Sequence, residues 1–430
     1  MPLELPPLPP DASPRLVVGF SGGRDSTVLL HRLVALRATH GWSLRAVHVD
    51  HGLHPASGRW AEAAMAAAAS MGVRAEVVRA EVRPAGRGKE DAARRARFVA
   101  FASVCGPDDT LVLAHHRDDQ VETVLLALLR GADRGLAGMR PWTVDDRGGT
   151  WRPLLEHRAD AIAAYARTHD LRWIEDPSNA DDRFDRNALR GTFLPALHAR
   201  FPGAATAIAA LAERQARRLD DADAQAALDL SGLLDATGDT LDADGLRALP
   251  ASRADHALRR WARLHGGWIG DDAVRRVLDE WAAMPPGRAM RHALGSHWLR
   301  QWDGRLWWTA REPAPPRWPD TPWDGTQPLA LGGSGWLELV GASGFDTPLQ
   351  VRGRAGTSDR IALAAVGPRS LARLLPAWRI PPWQRDAVPV LTDGSGRLVA
   401  IADLGYAADF DAWLHTRGAR LVWQPDAALG

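Results

Sequence analysis

Cysteine is all but absent: Cys105 stands alone in 430 residues. A single thiol cannot close an intramolecular disulfide and excludes CxxC metal or redox motifs, so a reducing compartment is expected. Lysine is equally scarce, with Lys89 the only one, which leaves planar, always-charged arginine to carry nearly all the positive charge. An excess of one sign is missing too. Lys+Arg total 53 against Asp+Glu 52, a net charge of +1, so nucleic-acid binding would have to rest on local arginine patches. No uninterrupted run of about 18 apolar residues occurs. The start, MPLELPPLPPDASPR, has neither a basic n-region nor an apolar h-region, and the expectation is a cytoplasmic protein with no membrane segment.

What is present is an ordinary globular composition in a chain too long for one core; roughly 150 residues per domain gives two or three domains. RLVVGF, SLRAVHVD, VRAEVVRAEV and TLVLAH (15–20, 43–50, 73–82 and 110–115) are short Val- and Leu-rich runs with room for a helix after each. This alternation predicts a parallel sheet covered by helices on both faces. Ligands in such sheets bind beyond the carboxyl ends of the strands, where SGGRDS, HVDHG and AHHRDD fall.

From about residue 200 the pattern turns helical. In DDAVRRVLDEWAA, Val274, Val277, Leu278 and Trp281 recur at helical spacing behind an N-cap expected at Asp271 or Asp272. WLRQWDGRLWWT (298–309) reads as a hairpin about Asp303-Gly304. EPAPPRWPDTPWDG (312–325) reads as a Pro-rich linker, followed by strand-like PLQVRGR and RLVAIADL. The expected organisation is a catalytic α/β domain at 1–200, a mainly helical domain at 201–311, the linker at 312–325 and a small α+β domain at 326–430. Most of the 19 Trp, concentrated after residue 260, are expected in cores.

SGGRDS follows a buried-looking strand and precedes a helix whose Leu29, Leu30, Leu33 and Leu36 form an apolar stripe. Glycines allow a tight turn, so amide N–H groups and the helix N-terminus can point at a phosphate, with Ser21 and Ser26 adding hydroxyls. The loop is neither GxxxxGK[ST] nor GxGxxG. Asp25 beside bound phosphates calls for a cation between them, and Mg²⁺ is the natural one. A capped strand-to-helix turn is the structural alternative. In AHHRDDQVET, His115 and Asp119 are four apart, and His116, Asp119 and Glu122 recur every three, placing them on adjacent turns of one helical face. Zinc fits poorly, since HExxH and cysteine ligands are lacking.

SGGRDS after a strand resembles the pyrophosphate loop of N-type ATP pyrophosphatases, which split ATP into AMP and pyrophosphate while adenylating an oxygen. Within that superfamily the chain resembles the tRNA(Ile)-lysidine synthase family. The resemblance rests on VDHGLHPAS (49–57), EDAARRARF (90–98), AHHRDDQVETVLLALLRGADRGLAGM (114–139), RPLL (152–155), WIEDPSNADDRFDRNALR (173–190) and SLARLLPAWRIPPWQRDAVPVL (370–391).

The resemblance implies that ATP activates the C2 oxygen of the wobble cytidine in a tRNA(Ile) with a CAU anticodon, and that free L-lysine then attacks C2, giving lysidine, AMP and pyrophosphate. It makes Ser21, Gly22, Gly23, Arg24, Asp25 and Ser26 the ATP loop, with Asp25 also the Mg²⁺ candidate. Asp25, Asp119, His116 and Glu122 become the catalytic set. Arg94, Arg97, Arg130, Arg186, Asn187, Arg190 and Arg373 become tRNA or phosphate contacts. For Glu90 and Arg94 a plain i,i+4 surface pair is the competing reading. The chain departs from the family pattern at His54, where arginine is usual, at Ala132-Asp133, and at Arg373, where lysine is common. A homodimer is among the assemblies such a chain can form. Two other functions compete: another tRNA-modifying enzyme of the superfamily, although thiolation calls for several cysteines, and a non-catalytic RNA-binding protein, which would leave the strand-end cluster unexplained.

Overall fold

A computed structural model describes residues 3–52, 54–82, 89–145, 148–175, 185–285, 288–311, 319–353, 359–363 and 367–425. The chain forms two compact units, Met1–Asp221 and Ala222–Gly430.

The first unit alternates as expected: β1 (Arg15–Gly19), α1 (Arg24–His40), β2 (Ser43–Asp50), α2 (Ser57–Ser70), β3 (Arg74–Arg79), α3 (Lys89–Val104), β4 (Thr110–Val112), α4 (Arg117–Leu129), β5 (Trp142–Asp145), β6 (Gly148–Trp151) and α5 (Ala159–Thr168). The sheet order is β3-β2-β1-β4-β6-β5. β1 pairs in parallel with both β2 and β4, β2 with β3 and β4 with β6, while β5 runs antiparallel at the edge. Side chains alternate between faces along each strand. Leu16, Val18, Ala46 and Val112 accordingly pack with Leu29, Leu30 and Leu33 of α1, Ala64 of α2 and Ile162 of α5. Val17, Val47, Leu111 and Leu113 pack with Phe101 of α3 on the other face. The chain winds from β1 toward β3 and then crosses to β4 on the far side of β1. The loops leaving β1 and β4 therefore diverge and open a crevice at a topological switch point. Two further helices follow in the unit, α6 (Asp185–Ala188), continuing through a π-helical stretch at Leu189–Phe193 into α7 (Leu194–Arg200), and the sequence boundary between the units falls within the next helix, α8 (Ala204–Leu233).

In the second unit, β7 (Thr240–Asp242), α9 (Ala243–Ala248), α10 (Ala251–Leu264) and α11 (Asp271–Ala283) precede β8 (Met290–Leu294), β9 (His297–Trp302) and β10 (Arg305–Ala310). The strands form an antiparallel sheet in the order β7-β10-β9-β8. The hairpin turns at Asp303 (φ 53°) and Gly304 (φ 71°), both left-handed as a type I′ turn requires. Helix α11 buries Val274, Val277 and Trp281, but its N-cap is Gly270 rather than either aspartate. Asp271 lies inside the first turn and pairs with Arg259 at 3.1 Å.

The linker reading needs correction at its far end. Residues 312–318 lie outside the described residues, but Thr321–Trp323 forms β11, paired with β14 (Leu349–Arg352), and Trp323 is buried. Strand pairing with β14 and burial of Trp323 together seat this segment in a core. Between them lie β12 (Leu329–Ala330) and β13 (Trp336–Val340). Then follow β15 (Arg360–Leu363), β16 (Gly367–Ser370), α12 (Leu371–Ala377), β17 (Val390–Thr392), β18 (Leu398–Ile401), β19 (Gly405–Tyr406), α13 (Ala408–Thr416) and β20 (Arg420–Gln424). Val351, Val390, Leu391, Ala400, Ile401, Leu371 and Leu375 form their own core. The tryptophans divide: Trp261, Trp281, Trp308 and Trp323 are buried, Trp268 is exposed, and Trp298, Trp302, Trp307 and Trp383 are half-buried.

Candidate active site

The loop after β1 is shaped by two close approaches. Gly22 sits at φ +78°, and a Cβ there would lie 2.6 Å from Cδ1 of Ile174; the Ile174 N–H donates to the Gly22 carbonyl at 2.9 Å. Only glycine meets both demands. Gly23, extended, is the N-cap of α1 and has no side chain to satisfy the helix's first amides, which stay available to an anion. The Ser21 and Ser26 hydroxyls lie 3.1 Å apart, and Ser26 Oγ donates to the Gly23 carbonyl at 2.9 Å. Arg24 Nε donates to Asp25 Oδ1 at 2.9 Å.

Across the crevice, α4 starts at Arg117 with His116 as its N-cap, and the His116 backbone N–H donates to Asp119 Oδ2 at 2.9 Å. Backbone and side chain together bring three expected residues into contact. His116 Nε2 lies 3.5 Å from Asp25 Oδ2 and 3.5 Å from Asp119 Oδ2. Burial works against the charged imidazole, but the facing carboxylates Asp25, Asp119 and Asp118 outweigh it and raise the His116 pKa. Burial would likewise raise Asp25 and Asp119; His116 with Arg24 holds the first below its ordinary value, and His116 with Arg186 holds the second below it. The carboxylates thus favour the protonated imidazole, and the imidazole favours ionised carboxylates. His115 differs: burial, assisted by the Arg152, Arg186 and Arg94 charges, pushes its pKa down, and its Nδ1 is buried with no hydrogen-bond partner among the described residues.

Glu122 is fully buried. It accepts from Arg186 Nε at 2.6 Å and from Arg190 Nε at 2.6 Å, and Arg190 also reaches Asp119 Oδ1 at 2.9 Å. These arginines stand on α6 and the π-helical turn. A π turn holds an extra residue, here in the stretch that carries Arg190. The expectation that Glu122 touches reacting atoms does not fit this geometry, because both its oxygens are covered by guanidinium groups. Arg186 and Arg190 are likewise turned onto carboxylates rather than presented free to a phosphate.

Other expected residues lie outside the Asp25–His116–Asp119 unit, some of them close by: the Arg94 charge reaches His115, and Asn187 shares α6 with Arg186. Arg97 Nε donates to His51 Nε2 at 3.5 Å beyond β2, and burial together with this arginine lowers the His51 pKa to about 4. Arg94 lies over the Phe98 ring at 5.7 Å. Arg130 pairs with Asp185 at 3.1 Å, Asn187 stands on α6, and Arg373 is exposed on α12 in the other unit. The departure at His54 is absorbed locally, its ring stacking on Trp60 at 4.7 Å. The side chain of Glu90 and the DPSN block at 176–179 lie outside the described residues. Sequence reasoning missed Ile174 and Asp118. Asp118 Oδ2 accepts from the Ala159 N–H at 2.8 Å and so fastens α4 to the start of α5; neither residue carries a sequence signal apart from its neighbours.

A glycine loop at the end of β1, facing acidic and imidazole groups from β4 across the switch point, defines a PP-loop nucleotide-binding domain. A family model described as a PP-loop domain matches residues 5–197, a TilS substrate binding domain matches 241–307, and a TilS substrate C-terminal domain matches 349–423. The chain is 39% identical over 422 residues to a tRNA(Ile)-lysidine synthase of Xanthomonas campestris pv. campestris, covering 96% of this chain and 95% of the relative. It is 40% identical over 425 residues to that of Alkalilimnicola ehrlichii (92% and 91% covered), and 38% over 426 residues to that of Pseudomonas putida (94% and 95%). The chain belongs to the tRNA(Ile)-lysidine synthase family.

Proposed function

We propose that the protein joins free L-lysine to C2 of the wobble cytidine of tRNA(Ile) bearing a CAU anticodon. ATP is the nucleotide its PP-loop domain uses. The reading rests on the relatives above and on one observation of geometry: His116 standing between Asp25, at the start of α1, and Asp119, in the first turn of α4.

In the first step the C2 oxygen attacks the α-phosphorus of ATP and pyrophosphate leaves. Free amides at the start of α1, with the Ser21 and Ser26 hydroxyls, cradle the departing group. The His116 imidazolium offsets negative charge that builds in a partly dry crevice. In the second step an amine of lysine attacks C2, and AMP leaves with the oxygen it has activated. Asp119, ionised and oriented by His116 and Arg190, attracts the incoming ammonium. Glu122 is a positioning residue, holding Arg186 and Arg190 against Asp119.

Among the described residues no three His, Cys, Asp or Glu side chains gather into a metal cage. Mg²⁺ is commonly held by one or two carboxylates with substrate phosphates and water, and Asp25, 31% exposed at its side chain, with Asp119 fits that mode. When bound, Mg²⁺ would neutralise phosphate charge. Among the described residues no helix is long and apolar enough to cross a membrane.

Pyrophosphate release that requires tRNA(Ile), stops at the adenylated RNA when lysine is withheld and continues to lysidine in the digested RNA when it is added, is the expected outcome. Release absent with the cognate tRNA, or RNA that gains no lysine when lysine is present, would sink the reading.

A further inference from the structure

The outer face of the β8–β9–β10 sheet carries an arrangement that folding alone disfavours. Arg291 on β8 and Arg300 on β9 are register partners, and like charges directly opposite across strands are destabilising. The guanidinium groups of Arg291, Arg311 and Arg300 stand 4.6, 5.0 and 5.9 Å from the centre of one indole ring, that of Trp298. Arg300 also lies 4.6 Å from the Trp383 ring, and its Nε is buried with no hydrogen-bond partner among the described residues. Burial and the Arg291 charge both push the Arg300 pKa down, with no carboxylate acting against them. Among the described residues none of the three guanidinium groups has an ion pair, whereas the arginines of the active site are held by Asp and Glu. Arg291 and Arg311 are exposed and Trp298 is half-buried.

Cation–π contact accounts for how the three are held but does not remove the repulsion between them. A guanidinium lying flat on an aromatic ring keeps its N–H edge free, and that edge matches a phosphate oxygen pair. In a chain of net charge +1, a local cluster of uncompensated arginines is where an anion would be drawn. With the indole faces already occupied by guanidinium groups, phosphate rather than a stacked base is the fitting guest.

We infer that Trp298 serves as a scaffold splaying Arg291, Arg300 and Arg311 as a clamp for the phosphodiester backbone of RNA. The contact is independent of base sequence and positions the RNA. The choice of RNA over another polyanion rests on the function proposed above.

The test uses the full chain and a non-cognate RNA hairpin as probe, with binding measured across a salt series for the wild type, R291A/R311A, R291E, W298A and W298F. Each phosphate contact contributes about 0.7 to 0.9 to the slope of log affinity against log salt. R291A/R311A should lose affinity at least tenfold at low salt and lower the slope by about 1.4 to 1.8. ATP affinity should stay at the wild-type value and the melting temperature should not fall below it, because both arginines are exposed and losing Arg291 relieves its repulsion with Arg300. R291E should bind more weakly still, and W298F should retain more affinity than W298A. Unchanged affinity and slope in the arginine variants would overturn the inference, as would a wild-type chain that binds no RNA. A loss of binding to anionic phospholipid vesicles with RNA affinity intact would assign the face to lipid and overturn it too. A wild-type chain that holds the hairpin through this face yet makes no lysidine would refute the proposed function and leave the clamp standing.

Discussion

His116 Nε2 lies 3.5 Å from Asp25 Oδ2, joining the loop that leaves β1 to the loop that leaves β4. The contact spans the switch point and makes the two loops one electrostatic unit. Each side chain biases the protonation of the other: the carboxylate raises the imidazole pKa, and the imidazole lowers that of the carboxylate.

Asp25→Asn removes the negative charge and keeps the shape. Pyrophosphate release should fall by at least about a hundredfold, the scale of one lost electrostatic contact in an active site, while tRNA affinity holds. Quenched-flow measurement of pyrophosphate with parallel filter binding would check both; wild-type turnover would remove Asp25 from the reaction.

His116→Gln should reshape the dependence of melting temperature on pH. Because the folded pKa of His116 is raised above 6.5, the stability it contributes is complete below pH 6.5 and is lost as pH rises through the folded value. Asp25 and Asp119 have lowered values; their contribution is present above 3.8 and is lost as pH falls through the folded values. Wild type should exceed the variant most between about pH 4 and 6.5, converging in more alkaline buffer. A difference constant from pH 5 to 9 would show that His116 is not the titrating partner.

Glu122→Gln leaves two guanidinium groups on a buried neutral amide. Breaking a buried ion pair from one side typically costs about 3 kcal/mol or more, so chemical denaturation should report a loss of that size. Double-mutant cycles with Arg186→Ala and Arg190→Ala should show coupling. Full stability in the variant would mean the network is ornamental.

Gly22→Ala adds a methyl group where φ is +78° and Ile174 Cδ1 would be 2.6 Å away. Strain of this kind costs about 1 to 3 kcal/mol; the apparent KM for ATP should rise more than that for lysine. Pairing the change with Ile174→Ala should relieve the steric part and leave the left-handed backbone penalty. Steady-state kinetics on the single and double variants separate the two.

The catalytic unit was largely legible from the chain itself. Val-rich runs of strand length, helix-length spacings and a glycine loop are local features, and they dictated a parallel sheet with SGGRDS and AHHRDD at strand ends. The hairpin at Asp303-Gly304 was legible for the same reason, since two adjacent residues fix its turn. Only tertiary structure decided the rest. Glu122 reads in sequence as one more acid on a helical face; that it is fully buried and paired with Arg186 and Arg190 depends on a distant stretch of chain meeting α4. Thr321–Trp323 reads as linker until β14 offers free backbone groups and a core for Trp323. Arg291 and Arg300 are ordinary surface residues until strand register sets them side by side. Periodicity and turn chemistry are carried by neighbours along the chain, whereas charge pairing, burial and register depend on which distant segments meet.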